Sequence, residues 1–130
     1  MGAWKKINFP ADAKDILTVG SINEQGTNAA FSAVGPTADG RIKPDVMAYG
    51  SPTCVITGRG SIINDNGTSF SSPLIAGMVA CLWQALPHKT AKQIIKLVRL
   101  AGNNQQHPDN VFGYGVPDFW KAYQTGKAIK

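Results

Sequence analysis

The chain has 130 residues, 43% hydrophobic and 16% charged, the length and composition of one soluble globular domain able to bury a core. Its formal charge of +5 comes from scattered Lys and Arg, densest at Lys89 to Arg99 and Lys121 to Lys130, where helical spacing or a tail makes them solvated faces without base-stacking aromatics. No apolar run approaches the roughly 18 residues of a membrane span and the opening MGAWKKINFP lacks a secretory apolar stretch, so neither a nucleic-acid nor a membrane partner is expected.

In chain order, DILTVGSI (15 to 22) is a short β-rich apolar run. A second, DVMA (45 to 48), follows a loop rich in Gly, Pro and Asp, and both read as buried strands of a parallel sheet. TCVIT and SIIND, separated by GRG (58 to 60), have the form of a β-hairpin closed by a glycine-containing turn. From Pro73 to Leu86 the residues Ile75, Met78, Val79, Leu82, Trp83 and Leu86 step by three and four, while Ala76, Gly77 and Ala80 keep another face small. This predicts a helix packed on more than one side, with Pro73 in its first turn and Pro87 ending it.

Thr90 and Gln93 stand in capping-box relation ahead of a helix that places Ala91, Ile94, Ile95 and Val98 on one face, turns Lys92, Lys96 and Arg99 away, and ends at Gly102. GYGVPDFWKAY (113 to 123) then predicts a glycine turn leading into a short final helix. Cys54, in a strand, and Cys81, on an apolar helix face, have no metal-ligand spacing and read as buried free thiols. No repeat or internal domain boundary is visible.

The stretch NGTSFSSP (66 to 73) carries the chemistry. Its serines and threonine either cap the central helix or hold a nucleophile at its N-terminus. Ser69 lies four residues before Pro73, where backbone N–H groups and the helix dipole favour developing negative charge. An oxyanion formed in acyl transfer needs such donors, and Gly67 leaves room for a carbonyl to approach.

NGTSFSSPLIAGMVACL resembles the serine signature of the subtilases, the subtilisin-like serine peptidases, through Gly67, Thr68, Ser69, Ser71, Pro73, Ala76 and Gly77. FPADAKDILTVGSI, FSAVGPTADGRIKPDVMAYG and GYGVPDFWKAY resemble further family segments in the same order, with Tyr49 standing where many members have Pro. The resemblance implies an α/β fold: residues 1–130 as the C-terminal half of a three-layer α/β/α peptidase domain, with a parallel sheet, a β-hairpin and a central helix starting at the nucleophile.

It also implies a serine endopeptidase acting on protein or peptide substrates through an acyl-enzyme on Ser69, with Asn66, Gly67, Thr68 and Phe70 forming the nucleophile and oxyanion loop. Structural roles fall to Pro10 (a cis proline after an aromatic), to Asp45 at a strand entrance, and to Pro73. No cofactor is required, and no metal-ligating side chain is assigned. A weak Ca or Na site on backbone carbonyls near ADAKDI (11 to 16) is left open.

The family orders its triad Asp, His, Ser, whereas His88 and His107, the only histidines, follow Ser69. The triad acid, the base and the Asn oxyanion donor are therefore not assignable to this chain, which is expected to be inactive alone and to self-associate. A secreted or cell-envelope location is the family expectation. The reading from a different class is a non-catalytic scaffold or binding domain derived from a subtilase.

Overall fold

The computed structural model describes residues 6–129. Strands β1 (Val19–Asn23) and β2 (Val46–Ser51) pair in parallel, with Val19 opposite Val46 and Ile22 opposite Tyr49 before the register shifts at Asn23. The strand predicted from Asp15 begins only at Val19. The residues before it form turns, and the Thr18 N–H donates to Asp45 Oδ2 at 2.7 Å, where a side-chain carboxylate replaces a strand carbonyl as acceptor.

Strands β3 (Thr53–Ile56) and β4 (Ile62–Asp65) form the antiparallel hairpin, closed by a turn in which the Thr57 N–H donates to Ser61 O at 2.8 Å. Gly60 takes φ +80° there, a conformation that favours glycine. Every residue of β4 is exposed, so the hairpin stands off the core.

Helix α1 (Thr68–Ala85) starts five residues before the predicted Pro73, which corrects the placement of that proline. The first turn is set by extended Gly67 (φ 167°), whose carbonyl accepts from the Phe70 N–H at 3.0 Å. Pro73 is thus the sixth helical residue, and its missing N–H deprives the Ser69 carbonyl of its i+4 donor. Ser71, Ile75 and Leu82 are buried, but Met78 and Trp83 remain 46% and 41% exposed, so among the described residues α1 is covered along one stripe, not on several sides.

Cys54 and Cys81 are exposed free thiols, contrary to the buried reading. Cys54 falls on the outward phase of β3, and Cys81 lies beside Met78 on the uncovered side of α1.

Helix α2 (Ala91–Leu100) has the full capping box: Thr90 Oγ1 accepts from the Gln93 N–H at 3.3 Å, and Gln93 Oε1 accepts from the Thr90 N–H at 2.8 Å. It buries Ile94, Leu97 and Val98. Helix α3 (Phe119–Ala128) is capped by the Asp118 carboxylate, which accepts from the Lys121 N–H. Helix α1 packs on both parallel strands, and α2 and α3 pack on α1 and on each other. Val46, Ala48, Ile75, Leu82, Ile94, Leu97, Val98, Ala101 and Ala122 make one apolar cluster that packs the middle of α1 on β2 and under α2 and α3.

Candidate active site

Ser69 is the second residue of α1 and is exposed. The turn beneath it is tied to the sheet by the Gly67 N–H, which donates to Gly50 O at 2.9 Å. No described residue accepts from the backbone N–H groups of Thr68 or Ser69, so two donors at the positive end of the helix dipole stay open beside the hydroxyl. The half-buried Phe70 ring flanks Gly67, approaching to 3.6 Å of where a Cβ on that glycine would stand. Asn66, at the hairpin exit, accepts from Ser51 Oγ at 2.9 Å through Oδ1.

This geometry bears on the choice between cap and nucleophile. The N-cap is Gly67 and has no side-chain cap, so none of the serines or Thr68 caps the helix. Ser69 Oγ makes no hydrogen bond to another described residue. Ser71, by contrast, is fully buried, and its hydroxyl and that of Ser21 on β1 both lack a partner. Both press against Gly50, where a Cβ would collide with the two hydroxyls and come within 2.7 Å of Gly67 O. Gly50, Ser21 and Ser71 therefore set the height of the Gly67–Ser69 turn over the sheet. Sequence reasoning missed this trio, because a glycine and two serines in separate segments carry no spacing signal.

The second polar centre is Asp45, buried to 1% at the entrance of β2. Its Oδ2 accepts from Lys43 Nζ at 2.7 Å and from the Thr18 N–H, while Oδ1 accepts from Arg99 Nη2 at 2.6 Å and Nε at 2.8 Å. The Asp45 carbonyl accepts from the Tyr114 N–H at 2.7 Å, and Gly113, at φ +56°, passes so close to the Pro44 and Asp45 carbonyls that a Cβ would overlap them. Asp45 thus joins the entries of β1 and β2, the end of α2 and the glycine turn. Arg99, predicted to face solvent, turns inward to this carboxylate, since a long side chain at the last turn of α2 can reach a charge that its helical position does not face.

The remaining predicted residues lie apart. The Phe9–Pro10 peptide is cis, as are those before Pro36, Pro44 and Pro52. His88 follows the far end of α1, about 25–30 Å from Ser69 at 1.5 Å per residue, and His107 lies in the turn after α2 near Gln106 and Lys121. Neither makes a hydrogen bond to residues 66–70. No group of three or more His, Cys, Asp or Glu side chains able to hold a metal occurs among the described residues. Away from the site, the Arg41 guanidinium and the Thr37 hydroxyl hold exposed Asp39 down to about 2, and burial raises Tyr49, helped by Glu24.

A serine in the first turn of a central helix that follows a β-hairpin and packs on a parallel strand pair defines a class, an α/β protein with an exposed serine at the start of its central helix, and comparison narrows it. Residues 2–115 match the Subtilase family, and the chain belongs to that family.

It is 37% identical to the subtilisin-like protease SBT6.1 of Arabidopsis thaliana over 94% of its own length, and 31% identical to the membrane-bound transcription factor site-1 protease of Mus musculus over 95%. It spans 13% of the length of each. Among solved structures, MycP1 of Mycobacterium smegmatis superposes with a TM-score of 0.68 at 29% identity, covering 83% of this chain and 29% of that one. The CspB protease of Clostridium perfringens reaches 0.78 over 94% of this chain and 29% of its own, and at 22% identity it speaks to the fold alone.

Proposed function

We propose that Ser69 is the nucleophile of a serine endopeptidase, and that this chain by itself does not complete the reaction. The observation that carries the first part is the exposed, uncapped Ser69 hydroxyl beside the open N–H groups of the first turn of α1. In such a site Oγ attacks the scissile carbonyl carbon while a base takes its proton. The oxyanion accepts from the Ser69 N–H, the C–N bond breaks as the proton passes to the amine, and water hydrolyses the acyl-enzyme.

The second part is supported by the histidines, one remote at the opposite end of α1 and the other in the loop after α2. Removing the base of such a triad lowers kcat about 10⁶-fold. Substrates are proteins or peptides, in an exported compartment.

The test compares the 130-residue chain, alone and within a polypeptide that also carries the family's Asp and His segments, on a peptide amide. Hydrolysis only by the longer protein, abolished in Ser69→Ala, is the expected result. Turnover by the short chain that Ser69→Ala removes would overturn the second part. Turnover by the longer protein that survives Ser69→Ala would overturn the first.

Self-association belongs to the same reading. It is supported by Leu74, Met78 and Trp120 at 51%, 46% and 66% exposure and by the unpacked hairpin isoleucines Ile56 and Ile62. Light scattering that finds only monomer at high concentration would refute it.

A further inference from the structure

Residues 9–16 form a run of turns, with the Ala11 N–H donating to Asn8 O and the Ala13 N–H to Pro10 O. Turns of this kind present carbonyl oxygens, and the family resemblance leaves room for a weak Ca or Na ion on them. The side chains present do not fit such an ion, because three of those carbonyls, at 11, 12 and 16, already accept from side chains of later residues.

Ala11 O accepts from Thr18 Oγ1 at 2.6 Å, Asp12 O from Arg41 Nη2 at 2.9 Å, and Ile16 O from Lys43 Nζ at 3.0 Å. The Lys43 ammonium is 2% exposed and has three N–H donors. It meets three oxygens, Ile16 O at 3.0 Å, Thr18 Oγ1 at 3.2 Å and Asp45 Oδ2 at 2.7 Å. Two neutral oxygens and a carboxylate around a single positive centre form an oxygen cage of the kind a hard cation would select. Here the cation is covalently attached.

We infer that Lys43 is a tethered cation that takes the place of a bound metal at the 9–16 turn, with Arg41 fastening the neighbouring carbonyl. A metal ion among the same oxygens would face the ammonium at contact distance with no water between them, and like charges at that separation oppose binding. Attachment also removes the dependence on ion concentration that a bound ion brings, so the turn keeps its shape whatever the ionic composition.

The test is thermal unfolding of the 130-residue chain in choline, sodium, potassium and calcium chlorides at matched ionic strength, and with EDTA. The melting temperature is expected to agree within about 1 °C across the set. A saturable rise in calcium or sodium over choline, or a fall with EDTA, would overturn the inference.

Lys43→Ala supplies the second measurement. It should lower the melting temperature by roughly 10 °C or more, because Asp45 keeps only one of its two cations. Propylammonium, which replaces the deleted atoms, should restore part of that loss, and tetramethylammonium at equal concentration should not. Equal effects of the two would also overturn the inference. Should the variant not fold, the ion series on the unmodified chain decides alone.

Discussion

The two polar centres of this protein are built on opposite principles. Around Asp45 both carboxylate oxygens and the backbone N–H and C=O are engaged, and the group is sealed from water. Around exposed Ser69 the hydroxyl and the Thr68 and Ser69 N–H groups have no partner among the described residues, and even the Ser69 carbonyl lacks its helical donor because of Pro73. A saturated network fixes four chain segments in one arrangement, whereas an unsaturated turn is free to bind an incoming carbonyl. The first centre holds the fold and the second leaves Ser69 free for the proposed chemistry, and β2 runs between them, from Asp45 at its entrance to Gly50 beneath the turn.

Substitutions that separate the two centres sharpen this contrast. Asp45→Ala should have the largest effect, a loss on the order of 3–5 kcal/mol that leaves Lys43 buried without its carboxylate. Denaturant titration checks it, and a loss comparable to that of an ordinary surface change would show that the network does not hold the fold.

Gly50→Ala should come next, at about 1–3 kcal/mol, because its Cβ must displace Ser21, Ser71 or the Gly67 carbonyl. In the longer protein the same change should lower kcat by moving the nucleophile turn, so unchanged activity with lowered stability would break the proposed link.

A smaller effect comes from Asp39, whose acidity is held at about 2 against an ordinary 3.8, first by Arg41 and then by Thr37. A carboxyl with a depressed folded value contributes stability that is present above its unfolded value and lost as pH falls through the folded one. An acid titration of the melting temperature should therefore show an Asp39→Asn-sensitive decline between about pH 4 and about pH 2, modest because the pair is exposed. Smallest of all is Ser69→Ala, expected to leave unfolding unchanged within about 0.5 kcal/mol, since the hydroxyl touches no partner. A clear stability loss there would return the serine to a structural role.

Much of this was legible in the chain itself, for reasons that are local. The Thr90–Gln93 capping box, the GRG hairpin turn and the two parallel strands depend on short-range hydrogen bonding and on β-rich apolar runs, which neighbouring residues largely determine. The serine signature also lies in one continuous segment, because a nucleophile on a helix needs its turn, its glycine and its following residues together.

Other features were not legible. A proline predicts a first turn at Pro73, but α1 begins five residues earlier, because the extended Gly67 sets the turn and the helix tolerates a proline at its sixth position. The cysteines and half of the α1 stripe are exposed where apolar spacing predicts burial, because that spacing reports which face a helix offers, not what covers it.

By itself, then, the sequence determined the elements, their order, the family and the position of the candidate nucleophile, all of which are written in contiguous residues. Only the tertiary structure decided that Lys43 and Arg99 converge on Asp45, that Gly50 carries the turn beneath Ser69, and that the loop carbonyls at 11, 12 and 16 are held by side chains of later segments. Those contacts join residues up to 54 positions apart. Their energies arise from burial and charge placement in space, which no local pattern of residues encodes.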